Sequence, residues 1–302
     1  MACATLARLK QQPGYPQMTP DQYCQHKTAH SGSSFYYSFL FLPAAQRRAI
    51  TALYAFCREV DDVVDECQDT KTAQTKLDWW EHEISRLYAG KPQHPVTHAL
   101  QAVIANYRLP EEQFQEIIDG MRMDLSQQRY ATFKDLSLYC YRVASVVGQM
   151  AAVIFGYENH RTMKYAHDLG MAFQLTNILR DVGEDAARGR IYLPQDEMER
   201  FGVSENDILT SCSSDKTCAL FRFQATRARR YYNQAMFHLP TIDRYPQRSG
   251  LIMAAIYLST LDAIEQNNYP VMHRRVSLPA WRKLWLAWRT ARGETRRKQQ
   301  QK

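Results

Sequence analysis

The chain has 302 residues, 45% of them apolar, and a formal net charge of +7. Its seven cysteines are odd in number and contain no C-x-x-C pair, which argues against a disulfide framework or a zinc site and for a reducing cytosol. Residues 1–9 are too short for a secretory leader, and the longest apolar run, about 143–155, is too short to span a bilayer. A cytoplasmic protein with a sizeable buried core is expected.

The pattern is helical almost throughout. Thr19-Pro20-Asp21-Gln22 reads as a helix start, with Thr as cap, Pro at the first position and Gln three residues after the cap. Pro43 opens a helix over 43–66, in which Ile50, Leu53, Tyr54, Cys57, Val60 and Val64 recur at steps of three and four. A further helix spans 77–88 and is closed by Gly90 and Pro92. Pro110-Glu111-Glu112 starts the next, with acids suited to the helix dipole. It runs into 119–125, where Asp119 and Asp124 read as surface or capping residues. Helices over 135–155 and 162–182 follow, then a loop over 187–194 and a polar connection over 211–216. Helices over 218–239 and 249–266 complete the set. There is no alternating strand pattern, tandem repeat or linker, so one all-α bundle is the economical fold.

The charge is uneven. Between Arg274 and Lys302 there are ten basic residues and one acid, a balance of +9 that leaves −2 for the rest. The chain divides into a body over 1–276 and a basic arm over 277–302. A nearly neutral body without a nucleic-acid motif argues against nucleic acid as the arm's partner. Trp281, Trp285 and Trp288 alternate with Arg282, Lys283 and Arg289, as in a helix lying on a membrane, so peripheral contact with the inner membrane surface is expected.

Two aspartate clusters carry the chemistry. Asp61-Asp62-Val63-Val64-Asp65 and Asp181-Val182-Gly183-Glu184-Asp185 each place carboxylates four residues apart, one helical turn on the same face. Arg58 and Arg180 precede them. Gln174 and Asn177 extend the second cluster as a polar stripe on an otherwise apolar helix, which inside a bundle must be satisfied by water, metal or ligand. Carboxylates facing one space need a cation between them, and Mg²⁺ takes carboxylate, water and phosphate oxygens. The expected site therefore holds Mg²⁺, with Mn²⁺ as an alternative, and a diphosphate whose C–O bond the metal weakens. An allylic cation left behind would need a dry pocket and aromatic faces, which Phe35, Tyr54, Tyr139 and Phe173 among others can supply. A di-iron carboxylate bundle would need Glu-x-x-His pairs, and none is present.

The stretches Ala52-Leu53-Tyr54-Ala55-Phe56-Cys57-Arg58-Glu59-Val60-Asp61-Asp62, Tyr139-Cys140-Tyr141-Arg142-Val143-Ala144, Gln174-Leu175-Thr176-Asn177-Ile178-Leu179-Arg180-Asp181 and Arg190-Ile191-Tyr192-Leu193-Pro194 resemble the squalene/phytoene synthase family of head-to-head prenyltransferases. The resemblance implies an isoprenoid-synthase-type helical bundle around a central cavity. It implies Mg²⁺ on Asp61, Asp65, Asp181 and Asp185, with Asn177 and Gln174 in the same site. It makes Arg58, Arg180, Arg190 and Arg275 diphosphate contacts, and places Tyr54, Tyr139, Tyr192 and Tyr257 beside reacting carbons or the leaving group. Ser34 and Phe35 match a substrate-contacting Ser-x-Ser-Phe stretch, although Gly32 stands where the first serine would. The run from Ser31 to Phe39 followed by Leu42-Pro43 is most similar to the bacterial hopanoid-associated branch. That branch implies condensation of two farnesyl diphosphates to presqualene diphosphate without NADPH, with downstream squalene-forming enzymes as partners. Phytoene synthesis from two geranylgeranyl diphosphates, squalene or dehydrosqualene synthesis, and a catalytically silent scaffold are the alternatives.

Overall fold

Helix formation follows the apolar periodicity. The computed structural model describes residues 18–30, 35–67 and 69–300, and among these the regular structure is helical. In chain order the helices are α1 (Pro20–His30), α2 (Phe35–Phe39), α3 (Ala44–Glu66), α4 (Thr70–Tyr88), α5 (Pro95–Tyr107), α6 (Glu111–Ser126) and α7 (Phe133–Phe155). They continue with α8 (Arg161–Arg180), α9 (Val182–Ala187), α10 (Gln195–Phe201), α11 (Glu205–Leu209), α12 (Asp215–His238), α13 (Arg248–Gln266) and α14 (Ala280–Gln300).

The caps explain several boundaries. Thr19 and Gln22 exchange side-chain and backbone hydrogen bonds ahead of α1, as their spacing predicts. Asp69 accepts from the backbone N–H groups of Lys71 and Thr72, so α4 starts seven residues earlier than the apolar pattern at 77–88 indicates. Helices α2, α5, α9, α10 and α11 are absent from the sequence reading. They are short or carry weak amphipathic contrast; α5 and α11 start at local capping boxes, His94 with Thr97 and Ser204 with Asp207.

Buried apolar residues form two clusters. One gathers the inner faces of α1 to α6 and part of α7, with Leu53, Phe56, Leu77 and Phe114 fully enclosed. The other gathers α7 to α14, with Tyr165, Leu179, Phe221 and Ile252 at its centre. A cavity of about 770 Å³ lies between them and takes lining residues from both.

α7 belongs to both halves. It is one continuous helical stretch, longer than the apolar run at 143–155, and is long and apolar enough to cross a membrane by length and composition. Here its Tyr139, Val143, Ala144, Val147, Gly148, Ala151 and Phe155 line the cavity. A π-helical turn at Tyr141–Ser145 interrupts it, and such turns recur at functional sites. The turn is held against α8, where the Ser145 hydroxyl donates to the His167 carbonyl at 2.9 Å. Gly170 permits the crossing: a Cβ there would lie 2.6 Å from the Ser145 Cα.

The basic C-terminal segment forms α14. It packs along α13 and touches α2, burying Leu286, Ala287 and Ala291.

Candidate active site

The cavity's polar end is built from the ends of two helices. α3 brings Tyr54, Arg58, Asp61 and Asp65 to it, one turn apart in sequence. α8 brings Gln174, Asn177 and Arg180. The helix breaks at Asp181, whose backbone (φ −102°, ψ 11°) leaves the α-helical region, and restarts as α9 with Glu184 and Asp185 in its first turn. The four-residue spacing survives the break, because the Asp185 N–H donates to the Asp181 carbonyl at 2.9 Å. Gly183 lets this corner press on the Pro270–Met272 turn, where a Cβ would sit 2.6 Å from the Met272 carbonyl oxygen. That contact holds the segment leading to Arg275 over the cavity.

All the described residues singled out from sequence line this one cavity: Phe35, Tyr54, Arg58, Asp61, Asp65, Tyr139, Gln174, Asn177, Arg180, Asp181, Asp185, Arg190, Tyr192, Tyr257 and Arg275. Ser34 lies outside the described residues.

The cations between the carboxylates are arginines. Arg58 bonds Asp61 and Asp62, and Arg180 bonds Asp181 at 2.7 Å through Nε. Arg275 reaches Asp181 at 3.0 Å and Glu184 at 3.6 Å. Asp65 on α3 is bridged to the opposite loop by Arg188 at 3.0 Å and Arg190 at 3.4 Å. Arg58 and Arg180, expected from the sequence as diphosphate contacts, line the cavity and pair here with their neighbouring aspartates.

The carboxylates feel their enclosure. Asp61 is 36% exposed by area but sits inside the cavity, where surrounding protein desolvates it. This burial pushes its carboxyl up to about 6 against the pull of Arg58. Asp185 is pushed up to about 7 by burial, then by Asp181 and Asp124. Among the described residues no three His, Cys, Asp or Glu side chains converge closely enough to hold a metal ion unaided. The donor set nevertheless suits a hard cation. The side-chain Oδ1 of Asn177, one turn before Asp181 in the cavity lining, is buried without a hydrogen-bond partner. A buried acceptor left unpaired costs about 1–3 kcal/mol, which Mg²⁺ or its water shell would recover.

Asp124 corrects the sequence reading. It is 7% exposed and accepts hydrogen bonds from Tyr139 at 2.9 Å and Tyr192 at 2.7 Å. Burial raises its carboxyl to about 6, opposed by the Tyr192 hydrogen bond and by Arg190. The two tyrosine rings stack on each other at 5.2 Å, and Tyr130 stacks on Tyr192 at 5.8 Å. The signal lay in the helical period. Asp124 follows Ile117 and Met121 at steps of four and three, so it falls on the buried face of α6. Asp119 is the surface residue expected, paired with Arg122 at 3.0 Å. Lys283 and Arg188 were also not singled out as cavity residues. Burial, then Arg180 and Arg275, lowers the Lys283 ammonium below its ordinary range.

Away from the charges the cavity turns apolar and aromatic. Phe35, Tyr54, Phe173 and Tyr257 pack together, with Phe173 and Tyr257 4.7 Å apart. Beyond them it follows α8 back through Gly170, Leu169, Ala166 and Tyr165. From Asp181 to Ala166 is fifteen residues, or about 22 Å at the helical rise. The arrangement is a trough for a long hydrocarbon with an anionic head at the arginine and carboxylate end.

The squalene/phytoene synthase family profile matches residues 28–282. The chain is 43% identical to a 15-cis-phytoene synthase from Synechococcus elongatus over 276 residues, 86% of this chain and 89% of that one. It is 38% identical to a phytoene synthase from Arthrospira platensis, covering 89% and 92% of the two chains. Among solved structures it is similar to a dehydrosqualene synthase in complex with ligand (31% identity, TM-score 0.83, 91% and 96% covered). It is also similar to a squalene synthase from Alicyclobacillus acidocaldarius (30% identity, TM-score 0.75, 83% and 94% covered).

Proposed function

The chain belongs to the squalene/phytoene synthase family, and we propose that within it the enzyme condenses two geranylgeranyl diphosphates head to head to give phytoene. One observation carries the choice of substrate: the curated relatives that match most of the chain at 38–43% identity are phytoene synthases. They favour the C20 reaction over the C15 reaction expected from the stretch before α3.

The polar end suits the diphosphate groups. Asp61, Asp65, Asp181, Asp185 and Asn177 would hold Mg²⁺, which supplies positive charge against the departing diphosphate. Arg58, Arg180, Arg190 and Arg275 surround the same space and can each present a forked donor to phosphate oxygens. The C1–O bond of one substrate breaks and its electron pair leaves with the diphosphate. The C2–C3 double bond of the second substrate then attacks the allylic cation. Loss of a proton closes a cyclopropane, and loss of the second diphosphate and a second proton opens it to the C40 hydrocarbon. Two diphosphates and two protons are released, so no reductant is consumed.

The chain's own groups divide the labour. Phe35, Tyr54, Phe173 and Tyr257 give the cation aromatic surface and keep water out. Tyr139 is a poor base: burial and the adjacent Asp124 push its hydroxyl well above the ordinary phenol range. It stays protonated and donates to Asp124, and the released diphosphate, which lies beside the carbon that loses the proton, is the proposed acceptor ahead of Tyr54.

The test is incubation with geranylgeranyl diphosphate and, in parallel, farnesyl diphosphate, each with Mg²⁺ and without NADPH, followed by mass spectrometry of the products. Phytoene from the C20 substrate is the expected result. A C30 product from farnesyl diphosphate alone returns the reading to the C15 branch. No product from either substrate would support a catalytically silent relative.

A further inference from the structure

The outer face of α14 is unusual for a surface that meets only water. Trp281, Leu284, Trp285 and Trp288 fall at steps of three, one and three, the spacing of one helical stripe, and are 69%, 45%, 47% and 50% exposed. The opposite stripe, Leu286, Ala287 and Ala291, is the one that packs on the protein. Three exposed tryptophans and a leucine on one helix make an apolar patch that marks an interaction surface.

The charges say what it meets. Arg282, Arg289, Arg292, Arg296, Arg297 and Lys298 are all exposed. Two of them stack on the patch itself, Arg289 over Trp285 and Arg292 over Trp288, each at 5.1 Å. The one acid of the helix, Glu294, is turned inward. It is 5% exposed and bonded to Arg244 at 2.8 Å and Arg297 at 2.9 Å. The exposed charge of α14 is therefore entirely positive.

The helix is also placed at the cavity. The segment before it contributes Arg275, Val276, Ser277 and Leu278 to the lining, and its first turn contributes Lys283. On α2 and the turn after it, which α14 touches, Tyr36 and Leu40 are exposed as well.

We propose that the Trp281–Trp285–Trp288 face of α14 seats the protein on an anionic lipid surface, with the arginines on phosphate headgroups and the indoles at the level of the ester groups. Tryptophan favours that depth, and each arginine near an anionic bilayer is worth about a fivefold gain in partitioning. The cavity wall formed by Arg275–Lys283 is then held beside the bilayer. The inference stands on the surface alone and does not depend on which isoprenoid occupies the cavity.

The experiment is co-sedimentation of the full chain with vesicles of phosphatidylcholine alone and of phosphatidylcholine with one quarter phosphatidylglycerol. The wild-type chain pellets with the mixed vesicles, less so as salt is raised, and weakly with the neutral ones. Changing Arg282, Arg289 and Arg292 to Gln lowers partitioning by about a hundredfold. Changing Trp281, Trp285 and Trp288 to Ser abolishes pelleting while thermal unfolding and turnover of detergent-dispersed substrate are unchanged. Equal pelleting of the wild type with both vesicles, or undiminished pelleting of either variant, overturns the proposal. So does a tryptophan-dependent dimer in sedimentation velocity without vesicle binding.

Discussion

Replacing Asp124 with Asn should make the metal-free protein more stable at slightly alkaline pH and also less active. Burial holds the Asp124 carboxyl at about 6 against an ordinary 3.8, even though hydrogen bonds from Tyr192 and Tyr139 oppose the shift. A difference of roughly two pKa units corresponds to about 3 kcal/mol. Between those two values the folded state keeps a proton that the unfolded state has released. Stability contributed by this group is therefore present below 3.8 and is lost as pH rises through 6. Asparagine has the shape of the protonated acid and carries no charge at any pH, so Asp124→Asn should retain most of that ~3 kcal/mol at about pH 8. For a chain of this length that is a rise of about 5 °C in Tm. Thermal unfolding of both proteins in EDTA, from about pH 5 to about pH 8, should give curves that separate as pH rises. Turnover should fall in the variant, because the side-chain amide has one acceptor oxygen where the carboxylate has two, and one of the two tyrosine hydroxyls must reorient. A variant less stable than the wild type across the whole range would refute the reasoning. It would mean that the ionised carboxylate and its two donors are a net stabilising unit.

Other consequences are equally open to test. Asp61→Asn and Asp181→Asn should each lose most turnover while unfolding near the wild-type temperature, since both side chains line the cavity and neither closes the core. Loss of the fold in circular dichroism would make the clusters structural. Gly170→Ala should cost about 1–3 kcal/mol in urea denaturation, because its methyl would sit 2.6 Å from the Ser145 backbone and α7 and α8 would have to part. An unchanged midpoint would show that the crossing is loose. Ala151→Phe places a ring in the trough twelve residues, or about 18 Å, along α7 from Tyr139. It should lower turnover of geranylgeranyl diphosphate more than that of farnesyl diphosphate in a direct competition assay, and equal losses would place the far end of the substrate elsewhere.

What could be read in advance depended on whether a residue's role follows from its own helix or from a partner distant in the chain. The four-residue spacing of Asp61 and Asp65, and the stripe of Gln174, Asn177 and Asp181, are properties of single helices, and the cavity contains all of them. The break at Asp181 was not legible, because the corner it makes packs Gly183 on Met272, nearly ninety residues away. Asp124 was misread for a related reason. Its position in the period of α6 marks the buried face, but a buried carboxylate is credible only once donors are known, and Tyr139 and Tyr192 come from elsewhere in the chain. The arginines show the limit most clearly. From the sequence, Arg58 and Arg180 beside aspartates in a diphosphate-binding pattern suggest phosphate ligands. In the fold they are counter-ions to carboxylates that would otherwise repel one another. Both roles can belong to one guanidinium, because a cation that occupied the carboxylates would release the arginines to whatever anion accompanies it. The same residues can thus balance the carboxylates in the folded protein and bind the substrate's head group. A sequence cannot show which of these partners is engaged, because the choice depends on what fills the cavity.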